Sequence, residues 1–187
     1  MINEILKQDT QLFLFINHLP HNPIINSFFA LLSGVGYWGI GWGIILVILF
    51  ILGELKDKKV LLVFLFSGIC TLLFTDLGLK NIVRRLRPEF VIPQTLVIFD
   101  HSRSFSFPSG HATIAFAAAF ILGREHKKLR WLYYLLAILI SFSRIYLGKH
   151  YPSDVIVGAI IGLLIGQFSI YFINRFTPRP NKLKRSR

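Results

Sequence analysis

The chain has 187 residues, of which 53% are hydrophobic and 14% aromatic, while only 16% are charged; a soluble domain carries about a quarter charged residues. With a mean hydropathy of +0.58, this composition excludes an ordinary soluble enzyme and indicates an integral membrane protein. The net charge of +12 does not indicate a nucleic-acid partner, because most basic residues fall in short segments between apolar runs, as they do in cytoplasmic loops.

Residues Ile2 to Leu19 mix polar and apolar positions, with Ile5, Leu12, Phe13 and Ile16 roughly on one helical face. This predicts an interfacial amphipathic helix, ended by the turn from Pro20 to Pro23. Ile24 to Val35 is apolar but shorter than the roughly 20 residues a span needs, and reads as a half-helix or re-entrant piece. Five better candidates follow: Tyr37 to Gly53, Val60 to Leu79, His111 to Gly123, Trp131 to Leu147 and Val155 to Ile173. The pattern predicts an all-α integral membrane bundle of five or six transmembrane helices plus the N-terminal amphipathic helix. No Gly/Ser-rich or Pro-rich linker divides the chain, so residues 1–187 are expected to form a single membrane-embedded domain ending in a basic tail, residues 175–187. The single cysteine, Cys70, lies inside an apolar run, which excludes an intrachain disulfide and a cysteine metal site and leaves it a packing role. The opening residues INEILKQD lack the basic flank and cleavage site of a secretory signal.

Basic clusters assign sides. Lys56, Lys58 and Lys59 form one, Arg124, Lys127, Lys128 and Arg130 another, and the tail a third; all three are placed in the cytoplasm. The run ending at Lys80 then leads outward, the His111 run inward, the Trp131 run outward to Arg144, and the last run returns to the tail. Three polar stretches therefore meet on the outer face: KNIVRRLRP (Lys80 to Pro88), FPSGHA (Phe107 to Ala112) and SRIYLGKHYPSD (Ser143 to Asp154). Arg84, Arg85, Arg103 and Lys149 also lie on that side, against the charge rule, and are read as kept for another purpose.

The chemistry of these stretches is that of anion handling. Lys80 and Arg87 share a helical face if the helix continues between them, and Pro88 then starts the outer loop. Asp76, one turn before Lys80, is its expected helix-face partner. Taken alone, this pair would read as two cations snorkelling at a membrane boundary. Ser109 is a predicted N-cap with Gly110 and His111 in the first turn, where unpaired N–H groups and the helix dipole favour an anion. Pro152 suits the first position of the next helix, which puts His150 just ahead of it and Asp154 in its first turn. A carboxylate so placed can accept the imidazole N–H and leave the other nitrogen free to attack. Arg144 closes the preceding helix. Three cations, two imidazoles and one carboxylate form the inventory of a phosphoryl-transfer site without a metal. His18, His21, His101 and His126 have no metal-ligand spacing.

Lys80 to Pro88 (K-x6-RP), Pro108 to His111 (PSGH) and Ser143 to Asp154 (SR-x5-H-x3-D) match, in order and spacing, the three-part signature of the type 2 phosphatidic acid phosphatase superfamily, and the chain is identified as resembling that family. The signature covers residues 80–154, and the helix pattern extends the likeness over most of the chain. The resemblance implies a metal-independent membrane phosphatase, without cofactor, in which His150 forms a phosphohistidine, Asp154 orients it and His111 protonates the leaving oxygen. It also implies that Lys80, Arg87 and Arg144, with Ser109 and Gly110, hold the phosphoryl oxygens. These cations are expected to act on phosphate and not on the fold.

By the same resemblance the substrate is a lipid phosphate or diphosphate met at the cell (inner) membrane from the periplasm or exterior. Undecaprenyl diphosphate, phosphatidylglycerol phosphate and lipid A 1-phosphate are the classes considered. Arg84, Arg85 and Arg103 tilt that reading towards a diphosphate. A phosphotransferase passing the group to an alcohol is the close alternative; a non-catalytic lipid-phosphate binder needs neither His111 nor His150.

Overall fold

The computed structural model describes residues 2–36, 39–55, 57–98 and 104–177, and all regular structure among them is helical. α1 (Ile2–Asn17) and α2 (Pro23–Gly36) flank the predicted proline turn. α3 (Ile40–Ile51) is followed by α4 (Lys59–Thr71), which runs on through a π-helical stretch, Leu72–Leu79, into α5 (Lys80–Val83). A single turn, α6 (Pro88–Val91), precedes the long connection to α7. α7 (Gly110–Glu125), α8 (Arg130–Tyr146) and α9 (Pro152–Phe176) complete the chain. The tail beyond Thr177 and Arg103 lie outside the described residues.

Three described stretches are long and apolar enough to cross a membrane: Lys59–Val91, Lys127–Tyr146 and Pro152–Phe176. The bent pair α2 and α3 makes a fourth if it counts as one span. The chain is therefore a helical membrane protein with three to four candidate spans. The expected His111 span is α7, whose 16 residues are short of the roughly 20 needed to cross unaided.

α7 is the centre of the bundle. Ala112, Ala115, Ala117, Ala118, Ala119, Ile121 and Leu122 are all buried, whereas Ile44 and Val47 of α3, Leu61 and Leu65 of α4, and Ile156 and Ile160 of α9 turn outward. Apolar side chains facing out around a core of small residues fit a lipid solvent, where close backbone approach replaces hydrophobic burial. Gly158 and Gly162 of α9 take this to its limit. A Cβ on Gly158 would lie 2.6 Å from the Ser109 carbonyl oxygen, and one on Gly162 2.3 Å from that of Thr113.

In α1 the inward stripe is Asp9, Phe13 and Asn17, while Ile5 and Leu12 are exposed. Asn17 spans the structure, donating to the carbonyls of Leu96 at 3.0 Å and Tyr146 at 2.9 Å and accepting from the Leu96 N–H at 2.8 Å. One local expectation needs correction: no continuous helix joins Lys80 to Arg87. Arg84 takes a left-handed conformation (φ 52°) and ends the helix, and Arg87 is extended. The two cations therefore do not share a helical face; Arg87 reaches the site from a loop.

Candidate active site

Four helix ends meet at one end of the bundle. α5 and α8 arrive with Lys80 and Arg144; α7 and α9 depart with Ser109–Gly110–His111 and Tyr151–Pro152–Asp154. Ser109 is the N-cap of α7, its hydroxyl accepting from the Ala112 N–H at 3.5 Å, and Pro152 is the first residue of α9, both as the sequence predicts. The Ser109 N–H donates to the Asp154 carbonyl at 3.0 Å and so stitches the two starts together. After α8, the chain turns at Gly148 (φ 78°), where a Cβ would meet the Leu96 carbonyl oxygen at 2.7 Å. The N–H groups of Lys149 and His150 then donate back to the Arg144 carbonyl, and this returns His150 to the arginine that precedes it by a turn.

His150 is 1% exposed and lies between a guanidinium and a carboxylate. Its Nε2 is 3.2 Å from Arg87 Nη1, and its Nδ1 is 3.6 Å from Asp154 Oδ2. A guanidinium only donates, so Nε2 accepts in this contact and the ring proton sits on Nδ1, facing the carboxylate. The Nδ1 contact is electrostatic, since 3.6 Å is beyond hydrogen-bond reach. Asp154 is held from elsewhere: Oδ2 accepts from the Tyr151 N–H at 2.9 Å and Oδ1 from Arg85 at 2.7 Å. In the turn between α8 and α9, burial and then the charges of Arg87, Arg144 and Lys80 push the His150 imidazole well below its ordinary pKa. The ring is held neutral, as a nucleophile requires. His111 feels Arg144, His150, Lys80 and Arg87, so these five side chains share one field.

The basic residues differ in how they are neutralised. Lys80 pairs with Asp76 as expected, Lys149 with Glu89 at 2.9 Å, and Arg85 with both Asp9 and Asp154 at 2.7 Å. Among the described residues Arg87 and Arg144 form no ion pair. Arg144 Nη1 donates to Ser33 of α2, while its buried Nε has no hydrogen-bond partner. Arg87 donates to Ser104 O and Oγ, Phe105 O and Lys149 O at 2.7 to 3.3 Å. It thus clips the segment before α7 to the turn after α8, so the expectation that it leaves the fold untouched does not fit its contacts. The π-helical stretch brings Asp76 beside the start of α7: a Cβ on Gly110 would lie 3.1 Å from its Oδ1. Arg85, expected to face a second phosphate, is occupied on both sides.

Residues that sequence reasoning passed over are Asp9, Ser33, Glu89 and Ser104. Only Asp9 and Glu89 carried a signal, being two of nine acidic residues in a strongly basic chain. Among the described residues no three His, Cys, Asp or Glu side chains gather as metal ligands would.

The family model described as the PAP2 superfamily matches residues 58–178. The chain belongs to that superfamily. Among its PAP2 relatives is the lipid A 4′-phosphatase of Bacteroides thetaiotaomicron, 35% identical over 193 residues, covering 96% of this chain and 83% of the relative. The undecaprenyl-diphosphatase of Bacillus subtilis is 27% identical over 158 residues, covering 84% and 80%. The crystal structure of a PAP2-type phosphatidylglycerolphosphate phosphatase from Bacillus subtilis superimposes with a TM-score of 0.73 at 26% identity, over 99% of this chain and 90% of that one.

Proposed function

We propose that this protein is a membrane phosphatase that removes phosphate from a lipid through a phosphohistidine on His150. The observation that carries the reading is the pair of guanidinium groups that form no ion pair among the described residues, Arg87 and Arg144, beside a buried neutral imidazole. Unneutralised cations in a membrane protein are costly unless an anion joins them. A phosphoryl group is such an anion, and Arg binds its oxygens in a bidentate fork.

In the first step Nε2 of His150 attacks phosphorus, the Nε2–P bond forms and the P–O bond to the lipid breaks. His111 gives its proton to the leaving oxygen. The ring keeps its Nδ1 proton and its new positive charge faces Asp154. Water then attacks the phosphohistidine, the N–P bond breaks and His111 recovers a proton. Lys80, Arg87, Arg144, the Ser109 hydroxyl and the Gly110 N–H stabilise the charge spread over the phosphoryl oxygens, which is the main demand of this transition state. No metal takes part in this scheme.

The whole chain acts as one domain with five or six membrane segments, α1 lying at the interface, α7 crossing inside the bundle, the site facing the periplasm or exterior of the cell membrane and the tail cytoplasmic. A lipid phosphomonoester is favoured over a diphosphate, because Arg85 is engaged with Asp9 and Asp154 and the likeness to the lipid A 4′-phosphatase runs along nearly the whole chain. Incubating detergent-purified protein with chelator and a panel of lipid phosphates, and measuring phosphate release, tests the activity. Loss in chelator with recovery in magnesium overturns the metal-free scheme. A phosphorylated acceptor in place of free phosphate marks a phosphotransferase. In cells of a Cys70→Ala background, a cysteine at Gln94 should react with an impermeant reagent and one at Lys184 should not.

A further inference from the structure

Behind the His150–Asp154 pair lies a second carboxylate. Asp9 of α1 is 8% exposed; its Oδ1 accepts from the Ser153 N–H at 2.9 Å and its Oδ2 from the Ser153 hydroxyl at 2.5 Å and from Arg85 Nη2 at 2.7 Å. Arg85 Nη1 donates to Ser153 Oγ and to Asp154 Oδ1, each at 2.7 Å. Its guanidinium lies 3.8 Å over the Tyr151 ring. Each hydrogen bond in this ring joins residues far apart in sequence, and the ring ends on the oxygen pair that faces His150.

Charge decides what the arrangement does. Asp154 with Arg85 alone would be a neutral pair, with little pull on the positive ring formed at His150. Asp9 supplies the second anion that Arg85 needs, so Asp9, Arg85 and Asp154 together keep one net negative charge. In a buried, weakly screened setting that charge acts strongly on its neighbours. Resting on the nucleophile reading above, we infer that Asp9 is a positioning residue for phosphoryl transfer: by answering Arg85 it leaves the Asp154 carboxylate its negative charge towards His150. A plain fastening of α1 would explain the hydrogen bonds, but it assigns no value to the sign of the charge.

The test uses the full chain in detergent with dioctanoyl phosphatidic acid as probe. Asp9→Asn, nearly isosteric, should lower kcat about 10- to 100-fold with KM within about twofold. The double variant Asp9→Asn/Arg85→Gln removes the stranded cation and should regain activity over Asp9→Asn. Unchanged kcat in Asp9→Asn overturns the inference, and so does a double variant as poor as or poorer than the single one, since lost fastening only accumulates. Should Asp9→Asn alone not fold, the double variant decides: kcat within about tenfold of the parent supports the charge role, and a larger loss overturns it. His150→Ala in the same assay keeps the two ideas apart. Turnover by His150→Ala fails the nucleophile reading; an inactive His150→Ala beside an untouched Asp9→Asn fails this inference alone.

Discussion

The two ends of the bundle handle positive charge in opposite ways. At the end away from the site, Lys58, Arg124, Lys127, Lys128, Arg130 and Arg175 are exposed. Where they touch the protein, they touch the carbonyls that end helices: Arg130 Nε donates to Gly123 O at 2.9 Å, and Lys59 to Thr177 O. These are favourable positions for cations, since helix C-termini carry partial negative charge. At the site end Lys80, Arg87 and Lys149 are buried, and the N-termini of α7 and α9 add partial positive charge of their own. Among the described residues, carboxylates answer Lys80, Arg85 and Lys149, but not Arg87 or Arg144. One end carries its cations on the surface, and the other encloses them.

That contrast can be broken most sharply at its centre. His150→Ala should abolish turnover and any trapped phosphoenzyme. His111→Ala should lose about 10²- to 10⁴-fold on a lipid phosphate and much less on an aryl phosphate, whose leaving oxygen needs little protonation. If both variants respond alike to leaving-group acidity, the division of roles between the two imidazoles is wrong.

The cations come next. Arg144→Lys should cost about 10²-fold or more in kcat, on the scale of losing one oxyanion donor, with little change in melting temperature. Arg87→Lys should lose comparable activity and also melt several degrees lower, because it gives up the clip to Ser104, Phe105 and Lys149. Equal melting of the two variants would deny Arg87 its structural part.

A smaller effect lies in the pH profile. A nucleophilic imidazole must be neutral, and the His150 pKa is lowered, so protonation cannot silence it until the pH falls below its usual range. The acid limb of kcat/KM, corrected for ionisation of the substrate phosphate, should lie below about 6.5. A limb at or above that value would mean that the ring is not held neutral. Smallest of all, Arg124→Gln and Arg175→Gln should stay within about twofold of the parent, as surface changes do. A large loss at either would erase the difference between the ends.

Local signals carried most of the site. The N-cap at Ser109 and the proline start at Pro152 are written in adjacent residues, so the placement of His111, His150 and Asp154 followed from sequence alone. The stop at Val83 did not, because the left-handed residue that ends the helix is Arg84 and not a glycine. The Asp9–Arg85 link was equally hidden: it joins α1 to a loop 76 positions away, and nothing near Asp9 announces a buried partner. Which apolar run sits enclosed by the others, as α7 does, is likewise set by partners distant in sequence.

On α9 two stripes of one helix live under different rules. Ile156, Ile160 and Leu164 face outward, where any oily side chain serves. Gly158 and Gly162 press on main-chain atoms of α7, and main-chain atoms have no rotamers to offer. The gap between His111 and Asp154 is therefore a caliper set in backbone. A lineage of such proteins is free to rewrite the outer stripe for a new bilayer, while a single methyl on the inner one would reset the jaws.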